Sequence, residues 1–243
     1  MQIHLLNPNT CQAMTLQMAE AAKAVALPST VILPREPEHG PLSIECARDE
    51  VIASAALLDE IQKAETLAVD AHIIACFGDP GLDAAREIAS VPVIGIAEAA
   101  FHLATLVSYR FAVVTTMKRT IATAEHLLGR YGFEQQCSGI YASDLAVLDL
   151  EQLSGEHYEL LLSDCRRALA EGAEAIVLGC AGMAYLAGEL SGTLGVPVID
   201  GVCAAVKLAE SLSQLGLSIA KSGQYGAPYP KLFKGRYQHW SQR

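Results

Sequence analysis

Residues 70–100 read DAHIIACFGDPGLDAAREIASVPVIGIAEAA, and residues 174–205 read EAIVLGCAGMAYLAGELSGTLGVPVIDGVCAA. Each stretch runs from an acidic residue through an apolar strand to Cys-x-Gly, and then through a short helix to Val-Pro-Val-Ile. Cys76 and Cys180 therefore end equivalent predicted strands, 104 positions apart. The repeat predicts an approximate internal duplication, and two facing halves would bring both sulfurs to one small molecule.

The sequence around the repeat follows the same order of elements in both halves. A short apolar strand opens each half, at residues 2–6 and 111–114, and a long helix leads into each cysteine strand. Strands that alternate with helices predict an α/β fold with parallel sheets and right-handed crossovers. Ligands of such sheets bind beyond the carboxyl ends of the strands. The other expected elements are strands at 31–33, 93–96 and 139–142 and helices at 10–25, 45–68, 118–131, 151–171 and 204–217.

Local patterns add detail to this fold. Thr10 is placed to cap the first helix, and residues 34–41 are rich enough in proline and charge to predict a loop that can hang over a site. The long helix before the first cysteine strand carries an apolar stripe that is expected to lie on the sheet. The stripe comprises Val51, Ala55, Leu58 and Ile61.

The last helix and the polar, aromatic tail at 224–243 are expected to pack back on the first half. That arrangement would make the first lobe discontinuous, built from residues 1–98 together with 206–243. The second lobe would then comprise residues 99–205.

Composition bounds the partners and the compartment. A chain of 243 residues, 51% of them hydrophobic, can bury the core of one large or two small α/β domains. A net charge of −10 argues against nucleic acid and anionic membranes as partners. The N-terminal residues lack the features of a signal peptide, and no apolar run has the length of a membrane helix. We therefore expect a cytoplasmic protein.

Seven cysteines, odd in number and irregularly spaced, do not predict a disulfide framework, and none has zinc-site spacing. Cys76 and Cys180 occupy matched positions of matched units, which packing alone does not explain. The others are interpreted as small packing residues. They are Cys11, Cys46, Cys137, Cys165 and Cys203.

A pair of cysteines suits a racemase, which must remove a proton from one face of a carbon and return one to the other. The pKa of a free thiol, about 8.5, is close enough to neutrality for one sulfur to act as a thiolate base and its partner as a thiol acid. The backbone N–H groups of Phe77, Gly78, Ala181 and Gly182, near the predicted helix starts, are expected to favour negative charge on a thiolate or an enolate oxygen.

Polar residues at the other strand ends have two interpretations. Asn7, Asn9, Thr115 and Thr116 are either turn and cap residues or ligand contacts at the edge of the site. Histidines inside predicted strands, such as His4 and His72, are interpreted as packed or surface residues.

Five segments resemble one known family. They are NPNT at 7–10, GPLSIE at 40–45, CFGDPGLDAARE at 76–87, VVTT at 113–116 and GCAGM at 179–183. In these segments, which span nearly the whole chain, the sequence resembles the hydantoin racemase branch of the aspartate/glutamate racemase superfamily. Within that branch it is most similar to the bacterial allantoin racemases of purine breakdown.

The resemblance implies an isomerase of two pseudo-symmetric α/β lobes, each a short parallel sheet flanked by helices, with the active site in the cleft between them. It also implies a hydantoin as the small-molecule substrate, no cofactor and no metal. One of Cys76 and Cys180, as a thiolate, would take the C5 proton of the ring, and the other would give a proton to the opposite face. The positions that contact substrate in the superfamily fall here on Asn7, Ser43, Ile44, Phe77, Gly78, Thr115, Thr116, Ala181 and Gly182.

A departure from the amino-acid racemases bears on the substrate. Those relatives place polar pairs after their cysteines to grip a carboxylate and an amine, whereas Phe77-Gly78 and Ala181-Gly182 offer chiefly backbone donors. A neutral planar ring fits such donors better than a zwitterion does, which favours a hydantoin, and allantoin in particular.

Other functions stay open on the sequence. Within the same fold the alternatives are an aspartate/glutamate-type racemase, a maleate-type isomerase and a decarboxylase. Outside it, Cys76 and Cys180 could form a reversible redox disulfide, or the chain could be a two-lobed binding protein, against which the missing export signal argues. A homo-oligomer is expected because symmetric self-association is the usual state of soluble enzymes.

Overall fold

Two parallel sheets of four strands each organise the molecule, whose computed structural model describes residues 1–241 apart from the side chains of residues 151 and 152. The strands of the first sheet are β1 (Gln2–Leu6), β2 (Val31–Arg35), β3 (Ala71–Ile74) and β4 (Val93–Gly95), and those of the second are β5 (Phe111–Thr115), β6 (Cys137–Ala142), β7 (Ala175–Leu178) and β8 (Val198–Asp200). The strand orders are β2-β1-β3-β4 and β6-β5-β7-β8. The sheets are topologically equivalent, which confirms the predicted α/β fold of two similar halves.

Helices connect successive strands and cover both faces of each sheet. They are α1 (Gln12–Val25), α2 (Ala47–Ala64), α3 (Leu82–Ile88), α4 (Ile96–Val107), α5 (Ile121–Tyr131), α6 (Gly155–Ala170), α7 (Ala187–Leu194) and α8 (Gly201–Gln214). Short 3-10 helices occur at Lys118–Thr120, Val147–Gln152, Ala181–Leu186, Gly223–Tyr225 and Gly235–Trp240. Among the described residues, no helix is long and apolar enough to cross a bilayer.

The buried face of α2 differs from the predicted stripe. Ala53, Leu57, Ile61 and Ala64 are buried against the first sheet, whereas Val51 is 70% exposed. Spacings of four, four and three residues keep the buried set on one face of a helix, and Val51 lies about 200° around the helix from Ala53. Small alanines at both ends of this face let the helix approach the sheet closely, so the alanines define the face as much as the larger residues do.

Two local predictions near the N-terminus were wrong. The N-cap of α1 is Cys11, whose N–H donates to Asn9 Oδ1 at 2.9 Å, while the Thr10 hydroxyl donates to Pro41 O. β2 continues through Pro34 to Arg35, where a loop was predicted. Pro34 is tolerated there because β2 is an edge strand, so the missing N–H of proline removes no bond to a second neighbour.

Helix ends also differ from the sequence expectations. The helix expected at 45–68 is shorter at both ends. The one expected at 118–131 begins with a 3-10 segment, and the one expected at 151–171 follows a 3-10 segment. α8 starts three residues earlier than predicted because the Asp200 side chain caps it, accepting a bond from Cys203 N at 2.8 Å.

The C-terminal elements return to the first half of the chain. α8 packs against α1 and α4 and also contacts β3, β4 and β8. In the tail, Tyr225 OH donates to Asp83 of α3, and Trp240 Nε1 donates to Asp59 of α2. Residues 242 and 243 of the predicted tail lie outside the described residues. Because α8 touches both halves, the lobe boundaries at 98/99 and 205/206 stay a prediction.

Candidate active site

A cavity of about 400 Å³ lies between the two halves, beyond the carboxyl ends of β3, β5 and β7. Both repeated cysteines line it, and each lies two residues after the last residue of its strand, Ile74 or Leu178. Parallel strands bring the residues that follow them to one edge of a sheet, and the two sheets meet at these edges. The duplication thus places two thiols in the wall of one cavity.

The loop after Cys76 is held by the other half of the chain. Phe77 is buried in the core cluster of the second sheet, with its ring edge-on to Phe101 of α4 at a centroid distance of 5.6 Å. The N–H of Gly78 donates to the Cys76 sulfur and lowers the pKa of that thiol, but burial has the larger, opposite effect and raises this pKa to about 12.

The segment after Cys180 mirrors this arrangement. Cys180 is the N-cap of the 3-10 helix Ala181–Leu186, whose residues Ala181 and Ala184 are buried in the core cluster of the first sheet. The N–H of Gly182 donates to the Cys180 sulfur and lowers the thiol pKa, while burial raises this pKa to about 11. Each cysteine segment is therefore part of the core of the opposite half.

The protonation of the thiols corrects one expectation. The sequence predicted that strand ends and nearby helix starts would make a thiolate readily available. Instead, burial raises the pKa of both thiols, and the charge of Cys180 raises that of Cys76 further. The N–H groups of Gly78 and Gly182 point at sulfur, where they stabilise a thiolate without offsetting burial.

Six of the nine predicted substrate contacts lie in the cavity wall. They are Ile44, Phe77, Gly78, Thr115, Thr116 and Ala181. The Thr115 hydroxyl bonds to Gly179 O at 3.2 Å and lies 3.2 Å from the Thr120 hydroxyl. The approach of Thr115 to the strand before Cys180 requires a glycine, because a Cβ at Gly179 would lie 2.7 Å from the Thr115 Cβ.

The other three predicted contacts do not line the cavity. Asn7 is buried, and its Nδ2 donates to Asn9 Oδ1 and Thr15 Oγ1. Ser43 Oγ donates to Glu45 Oε1 at 3.0 Å. Gly182 is packed where an added Cβ would lie 3.0 Å from Leu150 Cδ1. These residues shape the segments that reach the cavity.

The cavity also has charged lining residues that the sequence analysis did not single out. Glu45 and Glu50 come from the loop before α2 and from its first turn, and Arg119 and His126 come from the 3-10 helix before α5 and from α5 itself. Burial raises the pKa of the Glu50 carboxyl, and His126 lowers it in part. Among the described residues the Glu50 carboxylate makes no hydrogen bond or ion pair. The first half thus contributes two acidic residues to the lining, and the second half contributes Arg119 and His126.

A sequence signal for these residues exists. Glu45 closes the GPLSIE segment, and Arg119, Thr123 and His126 are spaced by four and three residues, which places them on one face of a helix. The duplication makes α5 the equivalent of α1, whose Met14 and Met18 also line the cavity. The equivalence of the two helices could have identified this face.

Cys46, Cys137, Cys165 and Cys203 are free thiols, like the repeated pair. Cys165 is fully buried in the core of the second half, as expected of a packing residue. Cys46, interpreted in the same way, instead lines the cavity as the N-cap of α2. The repeat gave no reason to expect this, because Cys46 lies outside the duplicated motif.

The fold and site define a class: a two-lobed α/β protein in which the repeated cysteines, one from each half, line a shared cavity. Residues 3–209 match the family model described as Asp/Glu/Hydantoin racemase, and the chain belongs to that family.

The chain is similar to a hydantoin racemase from Rhizobium meliloti, with 47% identity over 97% of this chain and 98% of the relative. Its structure is similar to that of an allantoin racemase from Klebsiella pneumoniae, with a TM-score of 0.96, 52% identity and coverage of 99% and 98%. An allantoin racemase from Pseudomonas fluorescens has a TM-score of 0.93 at 39% identity, with coverage of 97% of this chain and 100% of that one. The chain is accordingly a racemase, an isomerase of this family.

Proposed function

We propose that this enzyme racemises allantoin at C5 without a cofactor, by proton transfer between Cys76, the substrate and Cys180. The observation that carries the proposal is that equivalent positions of the two halves place two thiols in the wall of one cavity. Thiols contributed by opposite halves suit the two faces of a flat ring. The naming of two structurally similar proteins as allantoin racemases supports the choice of substrate.

In the proposed reaction one cysteine starts as a thiolate and the other as a thiol. The thiolate takes the C5 proton, and the electron pair of the C–H bond moves into the ring carbonyl to form an enolate. The thiol then gives its proton to the opposite face of C5 as the enolate collapses. C5 is inverted, the two sulfurs have exchanged protonation states, and the reverse reaction uses the same groups in opposite roles.

The surroundings of the sulfurs suit a shared single charge. The N–H of Gly78 or of Gly182 stabilises whichever sulfur is ionised. Repulsion between the two sulfurs opposes ionisation of both, which keeps one thiol available as the acid. A buried thiolate is also poorly hydrated, so its basicity toward a carbon acid is higher than in water.

The charged walls favour allantoin over hydantoins with an alkyl or aryl substituent. The 5-ureido group of allantoin has N–H donors and a carbonyl acceptor, which match the carboxylates that the first half contributes and the Arg119 guanidinium from the second. Glu50 is half-buried and, within the part of the chain that the structure describes, its carboxylate accepts no hydrogen bond, so N–H donors of the substrate would offset its desolvation. An aryl substituent would leave that carboxylate desolvated and unpaired.

Circular dichroism of enantiopure allantoin, with exchange of the C5 proton in deuterated water, tests the proposal. The wild type should abolish optical activity faster than a protein-free blank, and Cys76→Ser and Cys180→Ser should each lose inversion. Cys137→Ser is the matched control, because Cys137 lies outside the cavity in β6. A wild type that matches the blank on allantoin would overturn the substrate assignment, and full inversion by either cysteine variant would overturn the mechanism.

A second comparison tests the ureido contact. Glu50→Gln should lose about tenfold in kcat/KM for allantoin, about the value of one hydrogen bond to a charged group, while its kcat/KM for 5-methylhydantoin stays within twofold. Glu125→Gln, an exposed change on α5 outside the cavity lining, is the control. Equal losses on both substrates would count against the ureido contact.

The proposal extends to the setting of the enzyme. Allantoin racemisation would place the chain in purine catabolism. Free thiols, Cys76 and Cys180 among them, suit the reducing cytoplasm. We also propose a homo-oligomer, because symmetric self-association is common among enzymes. Cell fractionation and light scattering test these two points, and a periplasmic or monomeric protein would contradict them.

A further inference from the structure

Asp79 is a buried carboxyl group that the proposed proton transfers do not use. It lies three residues after Cys76, and its backbone has φ 43°, a left-handed conformation that non-glycine residues rarely adopt. Its side chain accepts bonds from Ala97 N at 3.1 Å and Glu98 N at 3.0 Å, in the first turn of α4. It also accepts a bond from the Tyr131 hydroxyl at the end of α5, at 2.7 Å.

The two halves of the duplication differ at this point. In the second half, Asp200 caps the helix that follows its own strand, and buried Met183 occupies the third position after Cys180. In the first half, the residue equivalent to Asp200 is Gly95, the N-cap of α4. A Cβ on Gly95 would overlap the Asp79 carboxyl group. The carboxylate that caps α8 is therefore its own N-cap residue, Asp200, whereas the carboxylate that caps α4 comes from the Cys76 loop.

This exchange ties the Cys76 loop to the second half at two points. Phe77 packs on Phe101, which contacts Tyr131 at a centroid distance of 6.3 Å, and Asp79 bonds to the Tyr131 hydroxyl. Within the loop, Asp79 N donates to Cys76 O at 3.0 Å. The backbone of Cys76 is thus fixed through Asp79 to a tyrosine of the opposite half.

We propose that Asp79 is the positioning residue of Cys76 and that its hydrogen bonds to α4 and Tyr131 make the two cysteines of the site inequivalent. The inference rests on the proposed function in one respect, that Cys76 exchanges protons with substrate. The Cys180 segment has no counterpart of Asp79, because Met183 cannot accept hydrogen bonds as a carboxylate does. The same substitution should therefore act on one thiol and spare the other.

Charge adds to the effect of position. The groups that face Asp79 are Cys76, Tyr131 and Glu98, and the Glu98 carboxylate is paired with Arg86. Burial raises the pKa of Asp79 to about 7, and its charge raises the pKa of Cys76. At Cys180, where the pKa is about 11, the carboxylate that raises the thiol pKa is Glu45, so the two thiols differ in the hydrogen bonds of Asp79 rather than in the presence of a charged neighbour.

Alkylation of the two thiols by iodoacetamide, followed by peptide mass spectrometry, tests the inference in the intact enzyme. Tyr131→Phe removes one hydroxyl and keeps the ring among the aromatic residues. Because one positioning bond is lost, Tyr131→Phe should raise the ratio of Cys76 to Cys180 alkylation about threefold or more. It should also lower kcat about tenfold while KM stays within twofold of the wild-type value. Asp79→Asn removes the charge and keeps only one of the two acceptor oxygens, and it should raise the Cys76 alkylation rate near neutral pH.

Tyr141→Phe is the matched control, because Tyr141 OH donates to a carboxylate, Glu171 Oε2, at 2.8 Å away from the cavity. It should leave the alkylation ratio unchanged. The inference is overturned if Tyr131→Phe leaves the ratio within twofold of the wild type, or if Tyr141→Phe changes it as much. Alkylation needs no substrate, so an altered ratio in a protein that does not racemise allantoin would retain the positioning role and reject the proposed function.

Discussion

Replacing Gly95 with alanine would add one methyl group where the Asp79 carboxyl group already lies. The backbone at Gly95 has φ −81° and ψ 141°, an ordinary extended conformation, so alanine strains no dihedral angle. The new Cβ would overlap the carboxyl carbon and both carboxyl oxygens of Asp79. The methyl group fits only if this carboxyl group leaves its three hydrogen-bond donors.

The cost can be estimated from those bonds. Hydrogen bonds to a charged group contribute about 1.5 to 3 kcal/mol each, and loss of a helix cap costs about 1 kcal/mol. Because burial raises the pKa of Asp79 to about 7, the group is partly neutral at pH 7, and the low end of the range applies. We expect the free energy of unfolding to fall by about 3 to 5 kcal/mol, which for a chain of this size lowers Tm by about 6 to 20 °C.

Urea unfolding followed by circular dichroism measures the change. Gly188→Ala in α7 is the control, because a Cβ there meets nothing within 4 Å and helix propensity predicts a gain of about 0.5 to 1 kcal/mol. In an Asp79→Ala background, Gly95→Ala should cost less than about 1 kcal/mol, because the obstructing group is gone. A loss below about 1 kcal/mol in the wild type, or an equal loss in both backgrounds, would refute the reasoning.

Three other predictions follow from buried groups. Burial lowers the pKa of His4 to about 3 from an unfolded value of 6.5, so the unfolded chain binds more protons than the folded protein between these pH values. Urea titrations should show the free energy of unfolding falling by about 2 kcal/mol from pH 7.5 to pH 5 in the wild type and by less in His4→Gln. An equal fall in both proteins would contradict this. Burial raises the pKa of Cys180 to about 11, so the fraction of thiolate should increase with pH over the accessible range. After correction for the uncatalysed rate, kcat/KM for allantoin should rise up to about tenfold per pH unit from pH 7 to about 10, and a plateau from pH 7 would contradict this prediction. Gly179→Ala, whose Cβ would press on Thr115, should lower the free energy of unfolding by about 1 to 3 kcal/mol and reduce the rate of racemisation. Gly192→Ala, whose Cβ would meet no atom within 4 Å, should change neither quantity, and thermal unfolding and polarimetry compare the two variants.

The predictions from sequence succeeded where a pattern occurs twice. The repeat around Cys76 and Cys180 predicted two equivalent sheets and cysteines that follow equivalent strands, because a duplicated pattern is evidence independent of local propensity. Local propensity was weaker evidence. Thr10 is a good capping residue by type, but Asn9 is better placed, and the stripe near Val51 followed large apolar residues although alanines define the buried face.

The charged part of the site could not be predicted because its members come from separate elements. Glu50 and His126 lie 76 positions apart and meet only when the two halves close around the cavity. The pKa values of the thiols were predicted in the wrong direction, since a sequence shows the N–H groups that follow a strand but not the depth of burial. The role of Asp79 depends on the absence of a side chain at Gly95, and an interpretation of each residue by itself would not relate these two positions.

The reciprocal packing of the two cysteine segments bears on how such a chain could arise. Phe77 completes the core of the second half, and Ala181 and Ala184 complete that of the first. A polypeptide of half this length would expose the apolar surface that the cysteine segment of the other half covers here. Its own cysteine segment would have no apolar surface to pack against. Two identical copies would satisfy both needs by pairing about a two-fold axis. The present chain has the form of such a pair joined by gene fusion, after which each copy was free to change alone, as the placement of the carboxylate at Asp79 in one half and Asp200 in the other illustrates.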